Sequence, residues 1–520
     1  MPSKSSVQRF TVPRSARASF VFLASLILLM FLAGSCDTGK YRFNPESMHW
    51  LQFRGPNASG IAPENADPPV HFSPDTNLLW KAEILPGWSS PCIVDDRIFL
   101  TGFNRADSTL HTFAIDRKNG AILWADSVSP DTLFEIHAVN THANPTVASD
   151  GERVFASFPT YGLIAYDLTV RRLWEFTHEP IQWYYGGACS PVVADSVVIT
   201  IVSSDEDPRI VGLNCTTGDS VWTIRAPEEE WASLLMRSTP VMWNNLMVMH
   251  FYWVVAAYNM NYFTPEWWIK LPTTNIGTPV IAGDTMYLNA WTQMGEEKVN
   301  GIDFNFDEYL GFYDVNQDRK LGKNEIPDSI WLFQRPESPD EPRTSRRLND
   351  DFVFSVVDEN RDNAFDQAEW DRMLDIMAPY MGDHGMLAIS LKGAGERPAS
   401  DVIWKVQEDT PETPSPLLVD ENVFFIKNGG IITVIHRETG EVVKKGRVGA
   451  AGAYISSPML AANRIYTCSY NGTVTVLSAE DFSVLANNKL GEKIGASPVV
   501  VDDVLYVRTS GHLYAFRDPG

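Results

Sequence analysis

A short unit containing a proline and three apolar stretches recurs eight times along this 520-residue chain. Its last copy, residues 496–516, reads ASPVVVDDVLYVRTSGHLYAF, with an acidic turn and a glycine turn between the apolar stretches. The prolines of the unit are Pro91, Pro145, Pro191, Pro240, Pro279, Pro416, Pro458 and Pro498. A period of about 40 to 45 residues built from short strands is typical of a β-propeller, whose blades are four-stranded sheets. We therefore predict an all-β fold, an eight-bladed β-propeller of four-stranded blades.

The two ends of the repeat region complement each other. The last unit contains only three strands before Gly520, whereas residues 77–84 (NLLWKAEI) have the pattern of a single strand before the first blade. If this N-terminal strand completes the last blade, the ring closes and its open sheet edges disappear. We expect residues 75–296 and 386–520 to form the two parts of the propeller.

A second module ends most blades with tryptophan. In blade 1 it reads FAIDRKNGAILW over residues 113–124, which predicts a strand, a polar turn with glycine at positive φ, and a strand. Six of the eight blades carry the tryptophan, at Trp80, Trp124, Trp174, Trp222, Trp267 or Trp268, and Trp404. A large ring at a fixed place on each outer strand can fill the wedge between neighbouring blades, burying about 150 to 250 Å².

The pattern Ala-x-Asp-x-x-x-Gly-x-x-x-Trp and the lead-in WLQFRGPN at residues 50–57 resemble the repeats of pyrroloquinoline quinone (PQQ) propellers. Residues 75–520, apart from an insertion, are similar to quinoprotein dehydrogenases and to the non-enzymatic lipoprotein subunit of the outer-membrane assembly machine. The resemblance implies the blade architecture that both branches share, and does not choose between them. Quinoprotein dehydrogenases hold PQQ on the central axis with a Trp platform, a vicinal disulfide, a calcium ligand set and an Asp base. No adjacent cysteines occur here, and the remaining set cannot be assigned to any blade, so PQQ is possible but unsupported by residues.

The insertion follows Pro279 and contains two acidic loops, 44 residues apart. Each has twelve residues with oxygen-bearing side chains at alternate positions and glutamate at position 12, as in the calcium loop of an EF-hand. The predicted ligands of the first loop are Asp314, Asn316, Asp318, the backbone carbonyl of Lys320, and Glu325. Those of the second are Asp358, Asn360, Asp362, the backbone carbonyl of Ala364, Asp366 and Glu369. Because apolar residues at helical spacing flank both loops, we predict a small α-helical EF-hand pair over residues 297–385, inserted in blade 5.

Calcium takes six to eight oxygen ligands, and only a loop that turns sharply at its middle brings them round one point. The glycine usual at position 6 is Arg319 in the first loop and Asn363 in the second. Asn adopts positive φ more readily than Arg, so we expect tighter binding in the second loop. Leu321 and Phe365 stand at position 8, where two such loops pair. A permanent structural calcium is a more economical hypothesis than a calcium signal, and the alternative to calcium binding is a vestigial, metal-free pair.

The N-terminus predicts export. Residues 1–17 carry four basic residues and no acid, the apolar run Phe20–Ala33 follows, and LAGSC at residues 32–36 resembles a bacterial lipobox. We interpret residues 1–36 as a signal peptide with Cys36 as the lipidated residue, and residues 37–74 as a tether and lead-in. The expected location is extracytoplasmic, in the periplasm or at the cell surface, with a lipid anchor in the membrane. The alternative is a plain secretory signal in which Cys36 is incidental.

The formal charge of −23 argues against a nucleic-acid partner, because binding to phosphates depends on Lys and Arg. Trp88, Trp183, Tyr184 and Tyr185 could stack a planar ligand near a blade mouth, but aromatic residues are more often packing or protein-contact residues. A Cys189–Cys215 disulfide is possible in an oxidising compartment, but the sequence alone does not support it. We therefore predict a calcium-binding scaffold that binds a protein or other macromolecule on a propeller face. The alternative is a PQQ-dependent quinoprotein oxidoreductase, similar to alcohol or sugar dehydrogenases.

Overall fold

The computed structural model describes residues 49–169, 171–181, 185–202, 207–225, 238–251, 253–271, 273, 276–292, 305–333, 346–377 and 384–519. The predicted signal peptide with Cys36 lies outside the described residues, as do Trp183 and Tyr184. No helix in the ranges given is long and apolar enough to cross a membrane.

Eight four-stranded antiparallel blades confirm the predicted propeller. The strand before the first blade is β1 (Leu78–Glu83). Blade 1 comprises β2 (Cys92–Val94), β3 (Arg97–Asn104), β4 (Thr109–Asp116) and β5 (Ile122–Val128). Blade 2 comprises β6 (Ala148–Ser149), β7 (Arg153–Phe158), β8 (Gly162–Asp167) and β9 (Arg172–Thr177). Blade 3 comprises β10 (Val192–Ala194), β11 (Val197–Val202), β12 (Arg209–Asn214) and β13 (Ser220–Arg225). Blade 4 comprises β14 (Val241–Trp243), β15 (Leu246–His250), β16 (Val254–Asn259) and β17 (Thr264–Lys270).

Blade 5 is interrupted between its second and third strands. It begins with β18 (Val280–Ala282) and β19 (Thr285–Ala290). The insertion then contains α1 (Phe306–Tyr313), β20 (Leu321–Gly322), β21 (Trp331–Phe333), β22 (Arg346–Arg347), α2 (Asp351–Val357), β23 (Ala364–Phe365) and α3 (Gln367–Met377). The blade resumes with β24 (Gly385–Ser390) and ends with β26 (Val402–Val406), while β25 (Gly395–Arg397) pairs in parallel with β17 of blade 4. Gly385 lies opposite Ala290, so the inserted chain leaves and re-enters at adjacent points.

The last three blades follow without interruption. Blade 6 comprises β27 (Leu417–Val419), β28 (Asn422–Lys427), β29 (Ile431–His436) and β30 (Val442–Arg447). Blade 7 comprises β31 (Met459–Ala461), β32 (Arg464–Cys468), β33 (Thr473–Ser478) and β34 (Val484–Lys489). Blade 8 comprises β35 (Val499–Val501), β36 (Val504–Arg508), β37 (His512–Phe516) and, as its outer strand, β1. Short 3-10 turns lie at Pro56–Ala58, Ala399–Asp401 and Asn428–Gly430. The antiparallel pairing of β1 with β37 confirms the predicted closure by the N-terminal strand.

The burial of each strand follows its place in the blade. The six residues of β11, VVITIV, are all buried, because a middle strand is covered by neighbouring blades on both faces. The outer strand β13 has buried Trp222 and Ile224 between exposed residues, because one of its faces meets solvent. Apolar runs in the middle strands and alternation in the outer strands therefore produce the blade order.

The serine or threonine beside each repeat proline forms a ring of hydrogen bonds around the axis. In seven links the backbone amide of this residue in one blade donates to the side-chain hydroxyl oxygen in the next, at 2.9 to 3.3 Å. The members are Ser90, Thr146, Ser190, Thr239, Thr278, Ser415, Ser457 and Ser497, and all are buried. Blade 2 departs from the repeat because its member, Thr146, follows the proline. We call this set the hydroxyl ring.

Each outer-strand tryptophan packs against the next blade. Trp80 donates its indole N–H to the Arg117 carbonyl at 2.9 Å, and a Cβ added to Gly120 would lie 2.6 Å from its ring. The same joint forms between Trp174 and blade 3 and between Trp404 and blade 6, again over a turn glycine. In blade 4 the residue that makes this indole bond to the next blade is Trp267, which donates to the Leu391 carbonyl at 2.8 Å.

Whether the indole N–H of an outer-strand tryptophan is hydrogen-bonded depends on the turn of the next blade. Counted back from the tryptophan that follows it, the position of the turn glycine holds Val170 in blade 2 and Phe263 in blade 4. Trp124 of blade 1 and Trp222 of blade 3 are the tryptophans that face those turns. Their indole nitrogens are buried without a hydrogen-bond partner among the described residues. Trp222 instead stacks on Phe263, with ring centroids 5.3 Å apart. At Trp80, Trp174 and Trp404 a turn glycine thus accompanies the hydrogen-bonded joint, because it lets the indole approach the backbone.

The two faces of the propeller differ. Turns between first and second strands adjoin those between third and fourth, as the 2.9 Å bond from the Arg117 amide to the Asp96 carbonyl shows. We call this the turn face, and the opposite one, which carries the remaining loops and the connections between blades, the loop face. Since the insertion leaves between β19 and β24, it emerges from the loop face.

Residues 49–62 cross the turn face over the innermost strands. From here on, the term lead-in refers to these residues. Trp50 bridges to Ile93 in blade 1, and Ile61 bridges to Leu460 in blade 7. Between them, the Asn57 side chain makes two hydrogen bonds to the Met242 backbone in blade 4, at 2.9 and 3.0 Å. The lead-in therefore ties distant blades together and covers the axis on this side.

Candidate metal-binding loops and binding face

The second acidic loop gathers its carboxylates at one point. One oxygen each from Asp358, Asp362 and Glu369 lies within 4.8 Å of the others, the one such group of three His, Cys, Asp or Glu side chains in the described part of the chain. Asp358 and Glu369 are buried, whereas Asp362 is exposed. Buried carboxylates are costly unless paired or bound to a cation, and this arrangement suits a hard cation.

Backbone amides hold these carboxylates in place. Glu369 Oε1 accepts from the amides of Glu359 and Asn360, at 2.9 and 3.3 Å. The two Asp358 oxygens accept from the amides of Asp362 and Asn363, at 3.2 and 2.9 Å. The loop thereby turns its amides and its carboxylates inward together.

The first loop repeats this pattern in a more open setting. Glu325 Oε1 accepts from the amides of Val315 and Asn316, at 3.1 and 3.2 Å, and the Asp314 carboxylate accepts from Asp318 and Arg319. Its position-1 and position-12 acids are half-buried, less enclosed than their counterparts in the second loop. Within the twelve residues of each loop, the first has three acids against three bases, and the second has five acids against one.

Position 6 has left-handed backbone geometry in both loops, as the EF-hand pattern requires. Arg319 has φ of 63° and Asn363 has φ of 61°. Residues with a Cβ are strained in this region, and Asn tolerates it best because its short side chain bonds locally. The first loop therefore carries more backbone strain.

The two loops pair through a short antiparallel bridge. Leu321 lies opposite Phe365, and both side chains are buried in the core of the insertion with Trp370. The Lys320 ammonium contacts the Asp362 carboxylate of the other loop, and this hydrogen bond lowers the pKa of Asp362. Sequence reasoning missed this contact, because spacing within one loop says nothing about side chains that reach the other.

The helices around the loops are unequal. Helices α2 and α3 enclose the second loop, whereas the first has α1 before it and only turns after Glu325. Pro327 explains the difference, because its ring and missing N–H prevent a helix from continuing past the loop.

The loop face holds Trp88 and Tyr185, two of the four aromatic residues noted in the sequence. Trp88 donates its indole N–H to the Val139 carbonyl at 2.9 Å and lies edge-on to Tyr470, 6.0 Å between centroids. Tyr185 is 44% exposed, and its ring centroid is 5.2 Å from that of His137. These contacts fit packing with one exposed aromatic. No disulfide joins Cys189 to Cys215.

Arg54 of the lead-in is a second residue that sequence reasoning missed. Its side chain is fully buried, and Nη2 donates to the carbonyls of Pro416 and Ser59 at 2.7 and 3.0 Å. Burial lowers the pKa of Arg54 to about 9. An arginine within a polar lead-in gave no sign that it reaches blade 6.

Eight four-stranded blades, each with a bulge where its outer strand pairs, an outer tryptophan in six of them, and the hydroxyl ring define a PQQ-repeat β-propeller. A comparison with protein families matched residues 70–303 and 381–518 to the outer membrane protein assembly factor BamB family. The chain belongs to this family, and residues 304–380 of the insertion fall between the matched ranges. A comparison with curated proteins found no match.

Solved structures share the fold at low identity. The quinohemoprotein alcohol dehydrogenase from Comamonas testosteroni is 11% identical, with a TM-score of 0.50 over 90% of this chain and 80% of that one. The computationally designed Ika8 protein is 8% identical, with a TM-score of 0.50 over 85% and 99%. BamB from Moraxella catarrhalis is 10% identical, with a TM-score of 0.47 over 84% and 96%. Such identities show the fold alone.

Proposed function

We propose that this protein is a calcium-binding, extracytoplasmic, lipid-anchored propeller that acts as a scaffold or binding protein. The observation that carries the calcium assignment is the convergence of Asp358, Asp362 and Glu369 within 4.8 Å. Asn360 and Asp366 stand at further ligand positions, and the Ala364 carbonyl at position 7, so six donors are available for an ion that takes six to eight.

The second loop is the stronger of the two proposed sites. Its charge is more negative, its position-1 and position-12 acids are buried, and its position 6 is Asn363 instead of Arg319. All three differences favour a divalent cation in the second loop, because affinity rises with ligand charge and falls with strain in the loop.

Calorimetric titration of calcium into the purified protein tests this assignment. We expect Glu369→Gln to abolish the tighter binding event and Glu325→Gln to remove only the weaker one. Glu359→Gln is the matched control, since this acid of the second loop stands at position 2 and is not a proposed ligand. Loss of the tighter event in Glu325→Gln would reverse the ranking, and no calcium binding by the wild type would end the proposal.

The loop face is the proposed surface for a macromolecular partner. The lead-in covers the axis on the turn face, whereas the insertion and the exposed Tyr185 project from the loop side. The family description names an outer membrane assembly factor, which supports binding to another protein rather than catalysis. Cross-linking from cysteines placed on each face would locate the partner, and products only from the turn face would contradict the proposal.

The lipid anchor is a separate part of the proposal and depends on Cys36. Phase partition in detergent tests it, because a lipidated chain enters the detergent phase and Cys36→Ser should move it to the aqueous phase. Aqueous wild-type protein would indicate a plain secretory signal.

PQQ chemistry fits this chain poorly. Among the described residues, the group of three metal-capable side chains lies in the insertion and not on the propeller axis. The Trp88 ring is already packed, since a Cβ added to Gly495 would lie 2.5 Å from it. A titration with PQQ, followed by Trp fluorescence, should show no saturable binding; stoichiometric binding would favour the oxidoreductase alternative.

A further inference from the structure

A lysine from the first loop already lies on a proposed calcium ligand of the second. The Lys320 ammonium contacts one oxygen of Asp362, and the two side chains are 34% and 36% exposed. Lys320 is at position 7 of its own loop, where only its carbonyl is a proposed ligand, so its side chain is free to serve the neighbouring loop.

The pairing of the loops fixes this contact. Leu321 and Gly322 lie opposite Phe365 and Ala364, immediately after Lys320 in the chain. The Lys323 amide adds a hydrogen bond to the Asn363 carbonyl at 2.9 Å. The backbone next to Lys320 in the first loop and next to Asp362 in the second loop is thus held by the bridge between the loops.

We propose that Lys320 sets the calcium affinity of the second loop from within the first. This inference rests on the proposed calcium function. An exposed ion pair of this kind stabilises the empty loop only slightly, so it does little to preorganise the site for calcium. By contrast, an ammonium group in contact with a ligand of a divalent ion opposes binding of that ion by roughly tenfold even in a water-like medium. Repulsion is the larger effect, so Lys320 weakens the second site.

Calorimetry on the full protein with calcium alone tests the idea, in a Glu325→Gln background so that only the second loop reports. Lys320→Met should lower the dissociation constant about tenfold, and Lys320→Arg, which keeps the charge, should leave it near the parent value. Lys323→Met is the matched control, because Lys323 pairs with Asp351, which is not a proposed ligand. It should change the constant less than twofold.

The outcomes distinguish the role of Lys320 from the calcium-binding function on which it rests. Equal calcium affinity in Lys320→Met and its parent, or the same change in Lys323→Met, overturns the role of Lys320 and leaves the calcium site intact. Weaker binding in Lys320→Met also overturns it. Absence of calcium binding in every variant overturns both proposals. Circular dichroism of each variant would confirm that the propeller and the insertion remain folded.

Discussion

The backbone amide of Ser497, in the last blade, donates a hydrogen bond of 3.0 Å to the hydroxyl oxygen of Ser90 in the first. This contact links blade 8 to blade 1 within the hydroxyl ring, beside the chain connection from β1 to β2. Ser90→Ala leaves the buried Ser497 amide without an acceptor, so we expect a loss of about 1 to 3 kcal/mol in the free energy of unfolding, measured by urea denaturation.

Two further substitutions sharpen that test. Ser90→Thr should retain most of the stability, because three blades already have threonine in the ring. Ser127→Ala, on the exposed outer strand of the same blade, should change stability by less than about 0.5 kcal/mol. An equal loss in Ser90→Ala and Ser127→Ala would show that the ring contributes nothing.

The Trp80 ring lies over Gly120 in the next blade, and Gly120 has φ of 76°. Gly120→Ala should cost about 1 to 3 kcal/mol for the clash with the indole, in addition to the cost of positive φ. Gly491 separates the two effects, because its φ is 77° with no atom near its absent Cβ. Gly491→Ala should therefore be the milder change, and thermal unfolding of both variants compares them. Similar melting temperatures would mean that backbone strain alone matters at Gly120.

Exchange of the position-6 residues tests why the proposed calcium loops differ. Arg319→Asn removes a positive charge and some left-handed strain from the first loop, so its calcium affinity should rise about tenfold. Asn363→Arg should weaken the second loop by a similar factor. Titrations in backgrounds that silence the other loop would measure each effect, and unchanged affinities would show that position 6 does not set the ranking.

Glu492 lies in the connection between blades 7 and 8. We predict that acid weakens the closure of the propeller by β1, because this carboxylate then loses its charge. Burial opposes its ionisation, but hydrogen bonds from His512, Thr509 and Tyr514 outweigh it and lower the pKa of Glu492 to about 2. Lys81, on the closing strand β1, lies 3.7 Å from the same carboxylate. A depressed folded-state pKa stabilises the fold above the ordinary value of 4.5, and this stability is lost as the pH falls towards 2.

Urea midpoints at pH 6 and pH 3 would measure this contribution. At pH 6, Glu492→Gln should be less stable than the wild type, on the order of 2 kcal/mol, and the difference should shrink at pH 3. Glu480→Gln, an exposed acid in blade 7, should show no such pH dependence. A constant deficit for Glu492→Gln at both pH values would mean that its charge is not responsible.

Much of the propeller was readable from the sequence because it rests on short-range pattern. Fully apolar runs predicted the middle strands, and a lone strand before the first blade predicted that β1 would complete the last. The serine or threonine beside each repeat proline was visible as a pattern, but its bond partner was not. The proposed ligands of both loops also come from spacing alone, as do the residues at position 6.

The sequence by itself determined the number of blades, the closure by β1 and the place of the insertion, since each depends on a local period that one strand or turn must satisfy. Only the tertiary structure decided that Ser497 meets Ser90, that Arg54 reaches Pro416 and that Lys320 lies on Asp362. The first two contacts join residues several hundred positions apart, and the third joins two loops. They exist because a closed ring and a paired bridge bring distant backbone together, and no periodicity encodes which side chains then face one another.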